Sequence, residues 1–124
     1  MRNLLDNSRK PDIVFSCTGR IDITSNVARH LRLSAGDVIN IMTDGEEYYL
    51  YVQYRQPQNG KYEAAVFPSN RRGNHFRTSS KRICNAILEE CKTSGGKVRL
   101  CIGTPVDAEH YGKMLPIITK HPLI

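Results

Sequence analysis

The chain contains no tryptophan, few aromatic residues and no long apolar run. Of its 124 residues, 40% are apolar and 7% aromatic, which fits one domain with a core of modest size. No run of 18 apolar residues occurs, and residues 1–10 are polar, so the sequence predicts neither a membrane-spanning helix nor a secretory signal. We therefore expect a cytoplasmic protein with no membrane role.

The usual signatures of catalytic, phosphate-binding and metal-binding sites are also missing. The sequence has no GxSxG, P-loop or HExxH motif, and its four cysteines lack CxxC or CxxH spacing. We therefore predict no enzyme activity, no cofactor, no metal and no small-molecule substrate, leaving open only a Cys–His pair brought together by folding. Three cysteines fall at apolar positions of predicted elements, and these are expected to be reduced core thiols.

Positive charge is concentrated in the second half of the chain. Residues 1–67 hold eight basic and eight acidic residues, whereas residues 68–124 hold ten basic and four acidic ones. Five of the basic residues fall in one acid-free window: Arg71, Arg72, Arg77, Lys81 and Arg82. Such a patch is typical of anion binding, most often to nucleic acid, although solvated basic loops without a ligand are also common.

The first half is predicted to be rich in β-strands. Short strands are expected over residues 12–17 and around Ile21 and Ile23, followed by a two-turn helix capped by Thr24 or Ser25. A strand over residues 38–42 and the turn signals Asp44-Gly45 and Asn59-Gly60 then predict a three-stranded antiparallel meander with residues 48–54 and 62–67. Five tyrosines of this region could form a stacking platform for bases, or could simply suit half-buried strands. They are Tyr48, Tyr49, Tyr51, Tyr54 and Tyr62.

The second half is predicted to be a loop, a helix and strands. Residues 68–80 have the composition of a loop, and a helix from Ser80 to about Thr93 carries an apolar stripe. The stripe is Ile83, Cys84, Ile87, Leu88 and Cys91. A strand follows over residues 97–102, and residues 114–119 are expected to add an edge strand interrupted by Pro116.

Residues 19–41 contain the most specific pattern of the chain. A basic residue precedes alternating apolar residues, a short helix ends in Leu-x-Leu, and a Gly-Asp pair precedes a second alternating run. The residues are Gly19, Arg20, Ile21, Ile23, Ala28, Arg29, Leu31, Leu33, Gly36, Asp37, Ile39 and Ile41. Over residues 19–54 the chain resembles the DNA-binding half-barrel of the AbrB/MazE-like (SpoVT-AbrB, swapped-hairpin) bacterial regulators and antitoxins.

The resemblance implies a homodimer in which two chains interleave their hairpins into one barrel. It also implies that arginines of both copies face DNA, and Arg20, Arg29 and Arg32 are the positions that could do so. Arginine suits this role because its planar fork binds phosphates and guanine edges. The same Leu, Gly and Asp pattern also builds double-psi barrels used for protein binding or catalytic scaffolds, so it indicates fold more strongly than DNA binding.

The start of the second helix suggests a separate anion site. Lys81 and Arg82 fall in its first turn, where the positive end of the helix dipole disfavours cations by a few tenths of a kcal/mol each. With Arg71, Arg72 and Arg77 they could form a phosphate cradle at the free amides of the helix. Alternatively, acids from elsewhere, such as those at positions 46 and 47, cover these charges after folding.

The sequence therefore predicts one α+β domain, mostly antiparallel β, with an AbrB-like or double-psi-like barrel element and an added helix and strand. Its parts are a flexible arm (1–10), a β-rich half (12–67), a basic loop (68–82) and a helix-plus-strand half (83–124). The predicted function is non-catalytic, regulator-like binding of duplex DNA by a dimer. The alternative is a protein-assembly module that uses the tyrosine-rich meander and an apolar C-terminus: Leu115, Ile117, Ile118, Leu123 and Ile124.

Overall fold

The computed structural model describes residues 10–56, 62–93 and 95–123. Within these ranges it has nine strands and two helices. In chain order they are β1 (Ile13–Ser16), β2 (Arg20–Ile23), α1 (Ser25–Leu31), β3 (Val38–Thr43), β4 (Tyr48–Tyr54), β5 (Phe67–Pro68), β6 (Phe76–Ser79), α2 (Lys81–Glu90), β7 (Lys97–Ile102), β8 (Val106–Ala108) and β9 (Gly112–Leu123). The predicted Asn59-Gly60 turn, residues 1–9 of the predicted arm and Ile124 lie outside the described residues.

The strands form one curled antiparallel sheet, which confirms the predicted α+β class with mostly antiparallel strands. Their order is β3-β4-β9-β7-β1-β2-β6-β5, and β8 pairs with β9. Ala64 joins β3, at one end of this order, to β6, the second strand from the other end. Its amide donates to the Ser79 carbonyl in β6, and its carbonyl accepts from the Ile39 amide in β3, both at 3.1 Å. The sheet is therefore barrel-like.

The core lies inside the curl of the sheet, beneath both helices. Alternate residues of β1 and β2 and one face of each helix fill it, as the periodicities predicted. These residues are Ile13, Phe15, Ile21, Ile23, Val27, Ala28, Leu31, Cys84 and Ile87. Each fully buried large aliphatic side chain stabilises the fold by about 1.5–3 kcal/mol relative to an exposed one. Neither helix in the described ranges has the length and apolar character needed to cross a membrane.

The predicted meander is wrong in its third strand. β3 and β4 form the expected hairpin, but the other neighbour of β4 is β9 and not residues 62–67. Ala64 has a φ of 66°, which breaks the extended backbone that a strand would need. Residues 64–66 instead bond to both β3 and β6, and Phe67–Pro68 pairs with β6.

The predicted C-terminal edge strand is also wrong, because β9 is long and lies between β4 and β7. Pro116 is tolerated there by its position. Its carbonyl accepts a 2.8 Å hydrogen bond from the Gly103 amide, and Gly103 lies just past the end of β7. In an antiparallel ladder the nitrogen and carbonyl of one residue face the same neighbour. The missing N–H of Pro116 therefore falls where β7 has ended.

Residues 68–82 are not one loop. β5 and β6 form a hairpin whose turn carries Arg71 and Arg72, and α2 follows directly. The turn is closed by Asn70, whose side-chain oxygen accepts from the amides of Asn74 and His75. The basic window thus divides into a hairpin turn, a strand and a helix start.

The four cysteines are free thiols in the structure. Cys84 and Cys101 are buried, Cys91 is half-buried and Cys17 is exposed, so the three cysteines at apolar positions belong to the core region as predicted. Burial raises the pKa of the Cys84 and Cys91 thiols, which keeps them protonated and poorly reactive.

The Gly36-Asp37 turn carries a buried carboxylate that joins three parts of the chain. Gly36 has a φ of 92°, a conformation that favours glycine. The Asp37 side chain is 1% exposed and accepts from the Ser34 amide at 2.9 Å, from the Gln56 amide at 3.1 Å and from Arg55 Nη1 at 2.9 Å. The end of β4 is thereby tied to the turn before β3.

Replacing Asp37 by alanine should destabilise the fold by about 2–3 kcal/mol. Breaking a buried ion pair costs about 3–5 kcal/mol, and we discount that value because the Arg55 side chain is 56% exposed. Urea denaturation measures the change. Asp107→Ala is the matched control, since the Asp107 side chain is exposed and makes no hydrogen bond or ion pair within the described ranges. Equal stability of the two variants would contradict this role for Asp37.

Candidate nucleic-acid interface

One cluster of acidic residues and one cluster of basic residues lie at opposite ends of the β3–β4 hairpin. The acidic end comprises the β3–β4 turn and the end of α2, which are joined by a 3.1 Å hydrogen bond from Tyr48 Oη to Glu90. Its members are Asp44, Glu46, Glu47, Glu89 and Glu90. β3 has six residues, so its other end lies roughly 17 Å away at about 3.4 Å per residue. That other end meets α1 and carries the basic residues described below.

The N-terminal end of α1 is held by Asp12, which is 7% exposed. The Asp12 carbonyl accepts from both the amide (3.1 Å) and the hydroxyl (3.0 Å) of Thr24. Its carboxylate accepts from Asn26 Nδ2 at 3.0 Å and from the Ile102 amide at 2.9 Å. Thr24 occupies the N-cap position as predicted, but its hydroxyl is used by Asp12 and makes no capping bond. The helix is thus attached to β1 and β7.

The C-terminal end of α1 is held by Arg55. Nη1 and Nη2 of its guanidinium donate to the carbonyls of Arg32 and Leu31, each at 2.8 Å. These carbonyls are the negative end of the helix, so a cation is stabilised there. Arg32 itself has a φ of 51° at the C-cap. With both ends attached, α1 presents its outer face, which carries Arg29 and Arg32, in a fixed orientation.

One groove runs between α1 and the β5–β6 hairpin. It has a volume of about 420 Å³ and is lined by Arg29 and Arg32 on one side and by Gly73, Asn74 and Phe76 on the other. The turn that carries Arg71 and Arg72 is therefore beside α1. No carboxylate of the described residues lines this groove. Four of the arginines predicted to bind DNA thus lie in α1 or in the hairpin turn across from it.

A second groove lies on the other side of Arg32. It also has a volume of about 420 Å³, and its lining includes His30, Arg32, Arg55, Tyr111 and Lys113. None of the described carboxylates lines it, although Asp107 is the cross-strand neighbour of Lys113. Arg32 lines both grooves and joins them into one basic surface. We call Arg29, Arg32, Arg55, Arg71, Arg72 and Lys113 the basic end.

Two residues of the basic end, Arg55 and Lys113, were missed by sequence reasoning. Both are isolated basic residues in strand-like sequence, and neither belongs to the basic window. A signal for Arg55 did exist. Arg55 directly follows the strand that is expected to pair with residues 38–42, and this placed it close to Asp37, which directly precedes residues 38–42.

Arg20 and Arg77 lie apart from the basic end, and each has an acidic partner. They are on the neighbouring strands β2 and β6 and share Asp22, at 3.1 Å and 2.7 Å respectively. Neither lines the two grooves of the basic end. The structure therefore brings Arg29 and Arg32 together, and it places Arg20 on a different strand surface whose charge is partly neutralised.

The start of α2 is occupied by the chain's own carboxylate. Ser80 caps the helix as predicted, since its hydroxyl accepts from the Ile83 amide at 3.2 Å. The same hydroxyl donates to Glu63, which also forms a 2.8 Å ion pair with Arg82. The acid that covers this charge is Glu63 and not the acids of the β3–β4 turn. Lys81 is exposed beside Gly19. The carboxylate of Glu63 thus occupies the position where the sequence predicted a bound phosphate.

Part of the predicted tyrosine platform and part of the predicted apolar C-terminus are internal, but Ile118 is 37% exposed and Leu123 is half-buried. Tyr51 and Leu115 are buried, Tyr48 and Tyr49 are half-buried, and Ile117 is 1% exposed. These side chains pack inside the sheet or against it, because their strands lie in its interior. Only Tyr54 and Tyr62 remain exposed in the tyrosine set, with ring centroids 5.7 Å apart.

In the part of the chain that the structure describes, no three His, Cys, Asp or Glu side chains are placed to hold a metal ion. Comparison with known proteins gives no assignment: no protein-family model matches the chain, and no similar curated protein or solved structure was found.

The Glu63–Arg82 pair can be tested by NMR titration. Hydrogen bonds from Arg82 and Ser80 hold the pKa of the Glu63 carboxyl below its usual value of 4.5. Because the Glu63 pKa is lower in the folded state than in the unfolded chain, the pair stabilises the fold fully above a pH of about 4.5. This stabilisation is lost as the pH falls through the lower pKa of the folded state. Arg82→Gln should raise the Glu63 pKa, as read from its side-chain carboxyl carbon.

Arg72→Gln is the matched control for this titration. It removes the same charge from a residue with no contact to Glu63, so the Glu63 pKa should stay unchanged. An equal shift in both variants would mean that Glu63 responds to net charge and not to its ion pair with Arg82.

Proposed function

We propose that this protein is a non-catalytic nucleic-acid-binding protein that binds duplex DNA through the basic end. The observation that carries the proposal is the pair of grooves on either side of Arg32, which are lined by cations and, in the described part of the chain, by no carboxylate. Phosphates are attracted to such a surface, and arginine binds them with two parallel hydrogen bonds. The acidic end is a hairpin length away and would orient the molecule by repelling the DNA.

The fixed position of α1 adds to the proposal. Arg29 also donates to Asn26 at 3.2 Å, so its side chain is partly ordered in the absence of a ligand. A surface ordered in advance loses less conformational entropy when it binds. Asp12 and Asp37 therefore support binding although neither would touch the DNA.

The proposal includes a regulator-like function and a homodimer because residues 19–54 resemble the AbrB/MazE-like half-barrel. Light scattering with and without a 20-base-pair duplex tests both. A dimer that gains the mass of a duplex at low salt supports the proposal. A species of any size that ignores DNA would favour the protein-assembly alternative.

The basic end predicts a specific salt dependence. Four arginines, Arg29, Arg32, Arg71 and Arg72, would give a plot of log K against log salt a slope of about −4 per chain, at about −0.9 per neutralised phosphate. Arg32→Asn should weaken duplex binding and make the slope shallower by about 1 per chain. Asparagine suits the test because it tolerates the positive φ at this position.

Arg82→Gln is the matched control for this experiment. It removes one guanidinium of equal charge that is already paired with Glu63, so it should leave the slope nearly unchanged. Duplex binding that is independent of salt, or an equal loss in both variants, would contradict the assignment of the basic end.

A further inference from the structure

A third groove lies on the far side of the β5–β6 hairpin from α1. Its volume is about 620 Å³, and its lining includes Tyr62, Phe67, Pro68, Ser69 and Arg77. The hairpin is shared with the basic end. Pro68 lines this groove, and its cross-strand partner Phe76 lines the groove beside α1.

This groove has exposed aromatic side chains where apolar burial would be expected. Phe67 is 55% exposed, the highest value among the exposed large apolar residues of the described ranges. Tyr62 is 41% exposed, and its ring contacts that of Tyr54, which is 48% exposed. A cluster of exposed aromatic rings around a concave surface indicates binding of a ligand or partner.

The charge of the groove selects the kind of partner. Arg77 is the cross-strand neighbour of Phe67 and donates to Asp22 only through Nε. Within the described ranges no carboxylate lines the groove, and the adjoining turn carries Arg71 and Arg72. A flat apolar group that carries negative charge on either side satisfies these conditions, and nucleic-acid bases joined by phosphates are such groups.

We infer that this aromatic groove holds an unpaired base of a nucleic-acid strand, stacked on Phe67. The neighbouring phosphates lie against the arginines of the hairpin turn. The inference rests on the proposed function, because the same turn would contact the phosphates of the duplex at the basic end. The favoured substrate is then a duplex with a single-stranded extension, with its paired part on the basic end and its unpaired part across the hairpin.

The test compares a blunt 20-base-pair duplex with the same duplex carrying a six-thymidine tail, at the 5′ and the 3′ end separately. Fluorescence anisotropy gives each affinity at one salt concentration. The wild-type protein should bind one tailed duplex more tightly than the blunt one by about 5- to 150-fold, the range for stacking of one base on an aromatic ring. Phe67→Ala should abolish that difference and leave blunt-duplex affinity within about twofold.

Two variants of the same residue separate stacking from apolar contact and from misfolding. Phe67→Leu keeps an apolar side chain but lacks the ring, so it should lose the preference, whereas Phe67→Tyr should retain it. Val106→Ala removes another exposed apolar side chain, on β8, and should change nothing.

The outcomes separate the two proposals. Equal binding of tailed and blunt duplexes by the wild-type protein would overturn the inference and leave the proposed function standing. So would a tail preference that survives in Phe67→Ala. Failure to bind either duplex would overturn both.

Discussion

The geometry of the proposed interface depends on one ion pair, between Asp37 and Arg55. The carboxylate is buried, and the guanidinium reaches from it to the last carbonyls of α1. A seven-residue helix is too short to be stable alone, so its position has to come from its attachments. This pair supplies the C-terminal attachment, and Asp12 supplies the other. Two buried aspartates thus fix a basic helix face without being part of it.

The distribution of charge decides which surface of the protein would attract a polyanion. A net charge of +6 could attract polyanions without specificity if it were spread evenly. Here Asp22 and Glu63 neutralise part of the charge of Arg20, Arg77 and Arg82, and five acids form the acidic end at the far end of the β3–β4 hairpin. Arg29, Arg32, Arg71 and Arg72 form no ion pair within the described residues, and they lie in α1 or in the hairpin turn beside it. Such separation of charge controls the orientation of a bound polyanion as well as its affinity.

Local signals in the sequence predicted local structure well. The Asp44-Gly45 turn, the Ser80 cap and the apolar stripe of α2 all depend on residues within a few positions of one another, and all are confirmed. Strand partners were predicted poorly, because alternation shows which face is buried but not which strand lies alongside. The placement of β9 between β4 and β7 depends on contacts across most of the chain. For the same reason Arg55 was missed. The sequence also predicted one anion-binding role for all basic residues of the window, whereas the structure places them in a hairpin turn, a strand and a helix start.

An NMR titration with duplex DNA tests the central claim most directly, because it maps the contact surface residue by residue. The account predicts that backbone amide signals of residues 25–36 and 69–75 shift as duplex is added, while those of residues 43–48 and 89–92 do not. The shifts should reverse when salt is raised. Shifts at the acidic end, or none at α1, would contradict the account.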